Sequence, residues 1–247
     1  MFQGKKIVVV MPAYNAVKTL QQTYDEVMAQ EIVDLVIVVD DASSDDTAEL
    51  ARTLPNTITH VHEKNSGYGA NQKTCYRLAV ENDADVIIMV HPDYQYTPKL
   101  IPAMASMIIS GIYPAVLGSR ILGGKALKGG MPFHKYLANR GLTFLQNIFL
   151  GAKLSEYHSG YRAFSRELIE SLALDRNSDD FIFDNQMLIQ IVWGGHTIGE
   201  VTCPTLYFPD MSSINIARAS KYAVGCMWYS LLFRLAKWKI VKPHILP

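Results

Sequence analysis

Five short runs of mostly apolar, often β-branched residues recur through the first half of the chain, with segments of helical length between them. The runs cover residues 6–11, 35–40, 57–62, 85–90 and 115–119. Near-continuous valine and isoleucine runs are typical of strands that helices cover on both faces, as in a parallel sheet. Because strands and helices alternate along the chain, the sequence predicts a doubly wound α/β fold.

The segments between and after these runs complete the prediction. Helical length and periodicity cover about residues 17–30, 45–53, 68–82, 98–109, 133–150 and 184–193, and another helix begins at about residue 166. Two more strands are predicted near residues 161–164 and 197–201. Residues 120–131 hold four glycines and two lysines, a composition that favours a loop. We expect one domain over residues 1–210 and a tail over residues 211–247.

Composition argues against several classes of protein. A length of 247 residues with 49% hydrophobic and 19% charged residues is typical of a folded core rather than a disordered chain. The 23 basic and 23 acidic residues cancel, so the overall charge does not indicate a nucleic-acid partner. Cys75, Cys203 and Cys226 form no CxxC pair, which argues against a zinc site or a disulfide framework and favours a cytoplasmic protein.

The C-terminal tail carries charge of one sign. After Asp210 the chain has no acidic residue and six basic ones: Arg218, Lys221, Arg234, Lys237, Lys239 and Lys242. Residues from about 214 to 240 fit a helix with leucines and tryptophans at helical spacing. A basic amphipathic helix is typical of an anionic membrane interface, and its uninterrupted apolar core is too short to span the bilayer. We expect a protein that is peripheral on the inner face of the membrane; a contact in a homo-oligomer, or packing on the domain, is the alternative.

Polar side chains follow the first and second runs, where a parallel sheet binds its ligands beyond the carboxyl ends of the strands. The first run leads into Pro12, Tyr14 and Asn15, and the second ends in Asp40 and Asp41. A carboxylate there could accept a hydrogen bond from a base N–H, while an aromatic ring stacks on the base. The alternative is that the two aspartates start a turn and cap the next helix. The GxGxxG fingerprint is missing after the first run, which disfavours a nicotinamide or flavin protein.

A second polar cluster follows the fourth run, in the segment HPDYQY. Mg²⁺ and Mn²⁺ need oxygen ligands and commonly bridge diphosphate oxygens to one or two carboxylates. Asp93 and Gln95, two residues apart, could face one such cation, and His91 could be a third ligand, better suited to Mn²⁺. A proline-centred turn with solvated polar residues is the alternative.

These strand ends, in this order, resemble those of family-2 glycosyltransferases with the GT-A fold, over roughly residues 5–210. The segment SGYRAF, residues 159–164, is similar to the SGFRAF of the dolichol-phosphate mannose synthase branch. The resemblance implies a Rossmann-like, mixed but mainly parallel sheet flanked by helices. It implies a nucleotide-sugar donor held through its nucleoside, and a divalent metal at Asp93. The implied nucleoside-binding residues are Pro12, Tyr14, Asn15, Asp40 and Asp41, with Gly69 beside them.

The family's DxD motif stands here as His91-Pro92-Asp93, so its first aspartate is replaced, while Gln95 matches a glutamine of the mannose-synthase branch. The resemblance further implies a set of phosphate- or acceptor-binding residues: Arg120, Lys135, Asn139, Ser159 and Arg162. The alternatives are salt bridges for the two arginines and the solvated side of an amphipathic helix for Lys135 and Asn139.

The resemblance implies an inverting displacement in which a cation, Arg120 and Arg162 stabilise the departing diphosphate. A hydroxyl acceptor needs a general base, for which Asp184 is the candidate, whereas a phosphate acceptor is already an oxyanion. Asp184 could instead cap its helix. We expect transfer of a hexose from a UDP- or GDP-sugar to a polyprenyl phosphate or another membrane lipid. The alternatives are a hydroxyl acceptor with Asp184 as base, and a catalytically silent nucleotide-binding relative.

Overall fold

A computed structural model of the protein describes residues 1–205 and 216–246. Its strands are β1 (Ile7–Ala13), β2 (Leu35–Asp40), β3 (Thr57–Val61), β4 (Val86–Met89), β5 (Ala115–Ser119), β6 (Arg162–Ser165) and β7 (Ile198–Thr202). Its α-helices are α1 (Val17–Met28), α2 (Thr47–Thr53), α3 (Tyr68–Glu81), α4 (Ile101–Ile109), α5 (Phe133–Leu150), α6 (Arg166–Ser171), α7 (Phe183–Trp193) and α8 (Ile216–Lys237).

All seven strands form one sheet in the order β3-β2-β1-β4-β6-β5-β7. Neighbouring strands are parallel except where β6 runs antiparallel between β4 and β5. The predicted mixed, mainly parallel α/β sheet is thereby confirmed. Strand β1 lies between β2 and β4, so the order of the strands reverses at β1. The carboxyl ends of these three strands therefore border one crevice.

Helices cover both faces of the sheet because the strands are apolar on both faces. Alternate residues of β1 face opposite sides, so that Val8 and Val10 join one core while Ile7 and Val9 join the other. The first core includes residues of α3, α7 and α8, and the second includes residues of α1 and α4. Strands β1, β2, β4 and β5 are buried at every position but one, as their valine and isoleucine runs predict, whereas β3 is half-buried.

The C-terminal part agrees with the predicted helix over the range that is described. Helix α8 lies within the predicted residues 214–240, and it packs along α5. The predicted boundary between domain and tail, at residues 210–211, lies outside the described residues. None of the described helices combines the length and the hydropathy that crossing a bilayer requires.

Candidate functional site

The candidate site lies where β1, β2 and β4 end. The last residue of β1, Ala13, is in register with Asp40 at the end of β2, and Val10 of β1 pairs with Met89 at the end of β4. The segments that follow therefore meet at one edge of the sheet. The Thr19 hydroxyl of α1 donates to the carbonyl of Pro92 at 2.5 Å, which ties the segment after β1 to the segment after β4.

Asn15 links the turn after β1 to the turn after β2. Its backbone N–H donates to the Ser43 hydroxyl at 2.8 Å, and its side-chain oxygen accepts from the backbone of Ser44 at 2.9 Å. The Asp40 carboxylate, 1% exposed, accepts from both the hydroxyl and the backbone N–H of Ser43. Asp40 and Asn15 thus fix the shape of these two turns.

Ala42, within the second turn, has a φ of 57°. A left-handed backbone costs about 1–2 kcal/mol for a residue with a Cβ, but glycine adopts it readily. We expect Ala42→Gly to raise the free energy of unfolding by about 0.5–1 kcal/mol, measured by urea denaturation. Ala29→Gly, at a right-handed φ of −63°, is the control and should lower it. Destabilisation by both changes would contradict the strain at Ala42.

Asp41 fastens the start of α3 to the sheet. Its carboxylate, in a residue 3% exposed, accepts from the backbone N–H groups of Ser66 and Gly67 at 2.8 and 3.0 Å. The His62 ring lies 2.7 Å from the same carboxylate through Nδ1 and 3.0 Å from the Thr74 hydroxyl through Nε2. The sequence analysis missed His62, which follows β3 directly and therefore ends at the same edge of the sheet.

Tyr14 is the one predicted nucleoside-binding residue with a large exposed ring. It is 55% exposed at this edge, beyond the buried Pro12 of β1. An exposed ring at the mouth of the crevice is suited to stacking on a base, as predicted.

Gly69 serves a close backbone contact. Its N–H donates to the Asp179 carbonyl at 2.8 Å, and a Cβ at this position would lie 2.4 Å from the Ser178 carbonyl oxygen. The absence of a side chain lets the first turn of α3 pack directly on residues 178–179. This contact explains why glycine is needed here, and the prediction that Gly69 also contacts the nucleotide stays a prediction.

The predicted metal ligands in the segment after β4 differ in their exposure and in their hydrogen-bond partners. Asp93 is exposed, and one of its carboxylate oxygens accepts from the backbone N–H of Gln95 at 2.9 Å. Tyr94 between them has a φ of 56°. His91 is turned elsewhere: its Nε2 lies 2.9 Å from the Tyr68 hydroxyl, and Nδ1 is buried and unpartnered beside Gly160. These contacts give the His91 ring a protein partner, and its role as a third metal ligand stays a prediction.

The remaining groups fit a cation that a diphosphate helps to bind. Nowhere in residues 1–205 and 216–246 do three His, Cys, Asp or Glu side chains gather into a ready-made site. Mg²⁺ and Mn²⁺ are commonly held by one or two carboxylates together with substrate phosphates, so an exposed Asp93 at the crevice satisfies the need for a protein ligand.

Arg120 and Asn139 come together around a carboxylate that was not predicted from the sequence. Glu156 accepts from the backbone N–H and Nε of Arg120, both at 2.8 Å, and from the Asn139 amide at 2.8 Å. Burial alone would raise the pKa of Glu156, but the charge of Arg120 and these hydrogen bonds outweigh burial and lower the pKa. Arg120 also donates to the His158 carbonyl at 2.9 Å.

We expect Glu156→Gln to lower the free energy of unfolding by about 3 kcal/mol, because it removes the buried carboxylate that faces the charge of Arg120. The stabilisation by Glu156 should be complete above its ordinary pKa of 4.5 and lost as the pH falls through the lower pKa of the folded state. Urea denaturation at several pH values measures both effects. Glu81→Gln is the control, since Glu81 is half-exposed beside Arg77 and its pair should contribute less than about 1 kcal/mol. Equal losses in the two variants would contradict the role of Glu156.

Arg162 is an internal anchor. It is 1% exposed, and its guanidinium donates to the carbonyls of Ser159 at 2.8 Å, Asp184 at 2.9 Å and Tyr157 at 3.1 Å. Burial alone would lower the pKa of Arg162, but the Asp184 carboxylate, 3.5 Å away, outweighs it and raises the pKa. In this arrangement the donors of Arg162 face protein carbonyls, and a contact of Arg162 with a substrate phosphate stays a prediction. Ser159, 3% exposed, contributes its carbonyl to the same anchor.

Asp184 lies in the first turn of α7 and is 7% exposed. Its Oδ2 accepts from the Tyr68 hydroxyl and its Oδ1 from the Gln72 amide, both at 2.9 Å. Tyr68 and Gln72 were missed from the sequence, although their spacing of four residues on α3 places them on one face of that helix.

Helix α8 reaches this site from the C-terminal part of the chain. The Tyr222 hydroxyl lies 2.9 Å from Nδ1 of His158, and Lys221 pairs with Asp180 at 2.8 Å. Burial lowers the pKa of His158 to about 4, so the ring is neutral near neutral pH. Lys135, in contrast, is exposed in the first turn of α5.

A comparison with known protein families shows to which family this chain belongs. The model of the family described as "Glycosyl transferase family 2" matches residues 8–173, about two thirds of the chain. The chain belongs to glycosyl transferase family 2. The resemblance carried by the strand ends is thereby confirmed, and with it the prediction of a nucleotide-sugar-dependent glycosyltransferase.

Two relatives match this glycosyltransferase over most of their length. It is 28% identical over 254 residues to the UDP-N-acetylglucosamine–dolichyl-phosphate N-acetylglucosaminyltransferase of Methanococcus voltae, with 96% of this chain and 98% of that one covered. It is 26% identical over 202 residues to the undecaprenyl-phosphate mannosyltransferase of Micrococcus luteus, with 79% and 82% covered.

Solved structures share its architecture. Glucosyl-3-phosphoglycerate synthase of Mycobacterium tuberculosis, in complex with Mn²⁺, UDP and glucosyl-3-phosphoglycerate, superimposes with a TM-score of 0.68 at 19% identity, covering 94% of this chain and 81% of that one. This likeness confirms the predicted GT-A fold of the glycosyltransferase.

Proposed function

We propose that this glycosyltransferase moves a hexose, with inversion, from a UDP- or GDP-sugar to a polyprenyl phosphate at the inner face of the cytoplasmic membrane, with the help of Mg²⁺ or Mn²⁺. The two relatives named above, whose names specify dolichyl- and undecaprenyl-phosphate acceptors, support the acceptor class. The Mn²⁺ and UDP of the glucosyl-3-phosphoglycerate synthase complex support the donor and the metal.

The structural observation that carries the proposal is the orientation of α5. This helix buries the polar side chains Asn139, Thr143 and Gln146 and exposes apolar ones. Besides Leu145 (41%), the large exposed apolar residues are four that are here called the α5 stripe: Phe133 (68%), Leu137 (60%), Phe144 (64%) and Ile148 (55%). At 3.6 residues per turn these four lie within about 60° of one another around the helix. Surface helices ordinarily show the reverse arrangement, so the α5 stripe marks an interaction surface.

Charge indicates what covers the α5 stripe. Neither α5 nor α8 contains an aspartate or glutamate. The two helices are joined by a hydrogen bond from Gln146 to Ser230 at 3.1 Å and one from Arg234 to the Ile148 carbonyl at 2.7 Å. Helix α8 exposes Trp228, 56% accessible, and carries four of the six basic residues of the tail. Exposed apolar side chains on helices whose own charged residues are all basic favour an anionic bilayer over a second copy of the chain, the alternative occupant.

The position of α5 connects this surface to the chemistry. Its first turn carries the exposed Lys135, and one turn later Asn139 binds Glu156 together with Arg120. A lipid phosphate at the membrane surface would therefore meet the amino end of α5, where Lys135 can attract it.

The transfer itself asks little of the protein as an acid or base. An oxygen of the acceptor phosphate attacks the anomeric carbon, the bond from that carbon to the diphosphate breaks, and its electron pair leaves with the nucleoside diphosphate. A cation held by Asp93 would neutralise charge on the departing diphosphate. Tyr14 stacks on the base. No proton has to be removed from a phosphate oxyanion, which agrees with an Asp184 whose two oxygens are both occupied by donors.

The test is a transfer assay with vesicles that contain a polyprenyl phosphate. Radiolabelled UDP-glucose, UDP-N-acetylglucosamine and GDP-mannose are supplied in turn, with Mn²⁺ or with a chelator. We expect one donor to label the lipid phase in a metal-dependent way. Label that stays water-soluble with every donor would contradict the proposal.

A further inference from the structure

The hydroxyl of Tyr68 bridges two groups that lie far apart in the sequence. It is 2.9 Å from Oδ2 of Asp184 in α7 and 2.9 Å from Nε2 of His91, directly after β4. Tyr68 itself is the first residue of α3. One side chain thus joins the start of α3, the start of α7 and the segment that carries Asp93.

The direction of the two hydrogen bonds follows from the groups involved. Burial and the negative charge of Asp184 hold the pKa of Tyr68 well above its usual value, so the hydroxyl keeps its proton. A carboxylate can only accept, and Tyr68 therefore donates to Asp184. Its oxygen then accepts from the Nε2–H of His91. The chain of donors runs from His91 through Tyr68 to Asp184.

Packing fixes each member of this chain. The Tyr68 ring is stacked between His91, at a centroid distance of 5.6 Å, and Phe181, at 5.0 Å. On its other side His91 packs on Gly160, where a Cβ would lie 2.6 Å from Cε1 of the ring. Asp184 is held in turn by Gln72 at 2.9 Å and by the buried Arg162.

We propose that Asp184 acts through Tyr68 and His91 as a positioning residue for residues 91–95, and so sets where the Asp93 carboxylate stands. His91 precedes Asp93 by two residues, with only Pro92 between them, and the Pro92 carbonyl is held by Thr19. His91, which replaces the first aspartate of the DxD motif, thus anchors residues 91–95 through Tyr68 to the Asp184 carboxylate on α7. The inference rests on the donor half of the proposed function, the binding of a nucleotide with a metal, and not on the acceptor.

The rival role for Asp184 is that of a general base, and the two roles predict different losses. A positioning residue affects the affinity for metal and nucleotide before any acceptor is present. A general base affects turnover and its pH dependence and leaves that affinity unchanged.

Tyr68→Phe separates the two roles, because it removes the bridging hydroxyl and keeps the stacked ring, Gln72 and Arg162 in place. Calorimetric titration of UDP and GDP, with and without Mn²⁺, measures donor affinity without acceptor. We expect the affinity for the nucleotide to fall about tenfold in the presence of Mn²⁺, which is the lower end of the losses seen when a group that orients a metal ligand is removed. Without Mn²⁺ the affinity should stay within about twofold. Tyr24→Phe is the matched control, since Tyr24 is buried and its hydroxyl donates to the Pro55 carbonyl.

His91→Asn removes the other end of the hydrogen-bond chain, so it is a second test if Tyr68→Phe folds poorly. Where both variants fold, the two changes are combined in a double-mutant cycle. Because both residues act through one chain, the double variant should bind the metal–nucleotide pair no more weakly than the weaker single variant. Unchanged metal-dependent affinity in Tyr68→Phe, or loss of turnover with a shifted acidic limb of the pH profile, would overturn the proposal. Absence of any nucleotide binding by the unaltered enzyme would overturn it too, whereas failure to label lipid would count against the acceptor alone.

Discussion

Replacing Asp93 with asparagine should lower kcat/KM for sugar transfer by a factor of about 10²–10³, the cost of removing one group that stabilises charge in a transition state. The change is nearly isosteric, and the asparagine oxygen can still accept from the backbone N–H of Gln95. What disappears is the negative charge that a diphosphate-bound cation needs from the protein. Initial rates at saturating Mn²⁺ measure the effect.

Asp46→Asn is the matched control for Asp93. Asp46 is also an exposed aspartate at a strand-end loop, and its side chain makes no capping hydrogen bond. Its replacement should leave kcat/KM within about twofold, well below the effect expected of a catalytic group. If the Asp93→Asn enzyme keeps more than a third of the original kcat/KM, Asp93 is not the metal ligand.

The second large effect is expected at the membrane. The double variant Leu137→Ser and Phe144→Ser should weaken binding to vesicles containing phosphatidylglycerol about a hundredfold. Each change removes an apolar side chain worth about 1.5 kcal/mol when it leaves water, and 1.4 kcal/mol corresponds to a factor of ten. Both side chains are more than half exposed, at 60% and 64%, so the fold should tolerate the changes. Co-sedimentation with the vesicles measures binding.

Ile112→Ser provides the control for the α5 stripe. Ile112 is equally exposed, at 63%, but precedes β5 and lies on neither α5 nor α8. Its replacement should not change vesicle binding. Added salt should weaken the binding of the unaltered protein, because the basic residues of α8 act through screened charges. A double variant that changes oligomeric state in light scattering but binds vesicles normally would assign the α5 stripe to a second copy.

Much of the fold follows from local sequence. Near-continuous valine and isoleucine runs require cover on both faces, and this requirement alone predicts helices on both sides of a mainly parallel sheet. The strands and α-helices of the first half lie within a few residues of their predicted bounds. The orientation of α5 does not follow in this way. Periodicity separates an apolar from a polar side of the helix, but only the neighbouring α8 and Glu156 decide that Asn139 and Gln146 face inward.

The candidate site was predictable where function depends on position at a strand end. Tyr14 and Asp93 are exposed at the crevice because they follow β1 and β4. The resemblance implies phosphate contacts for Arg120 and Arg162, but a sequence does not show which carboxylates and carbonyls will surround a guanidinium. Glu156 lies 36 residues from Arg120 in the sequence, and no local pattern predicts that the two side chains form an ion pair. Nonlocal contacts of this kind need the three-dimensional structure.

The central claim is transfer to a phosphate oxyanion at a membrane, and a competition between two acceptors tests it most directly. Vesicles containing equal amounts of a polyprenyl phosphate and the corresponding free polyprenol are incubated with the enzyme, Mn²⁺ and the labelled donor. The two lipids differ only in the reacting group, so membrane access is the same for both. The account predicts label on the phosphate alone, undiminished in Tyr68→Phe once Mn²⁺ and the donor are saturating. Label on the polyprenol, or on neither lipid while a water-soluble alcohol is glycosylated, would contradict it.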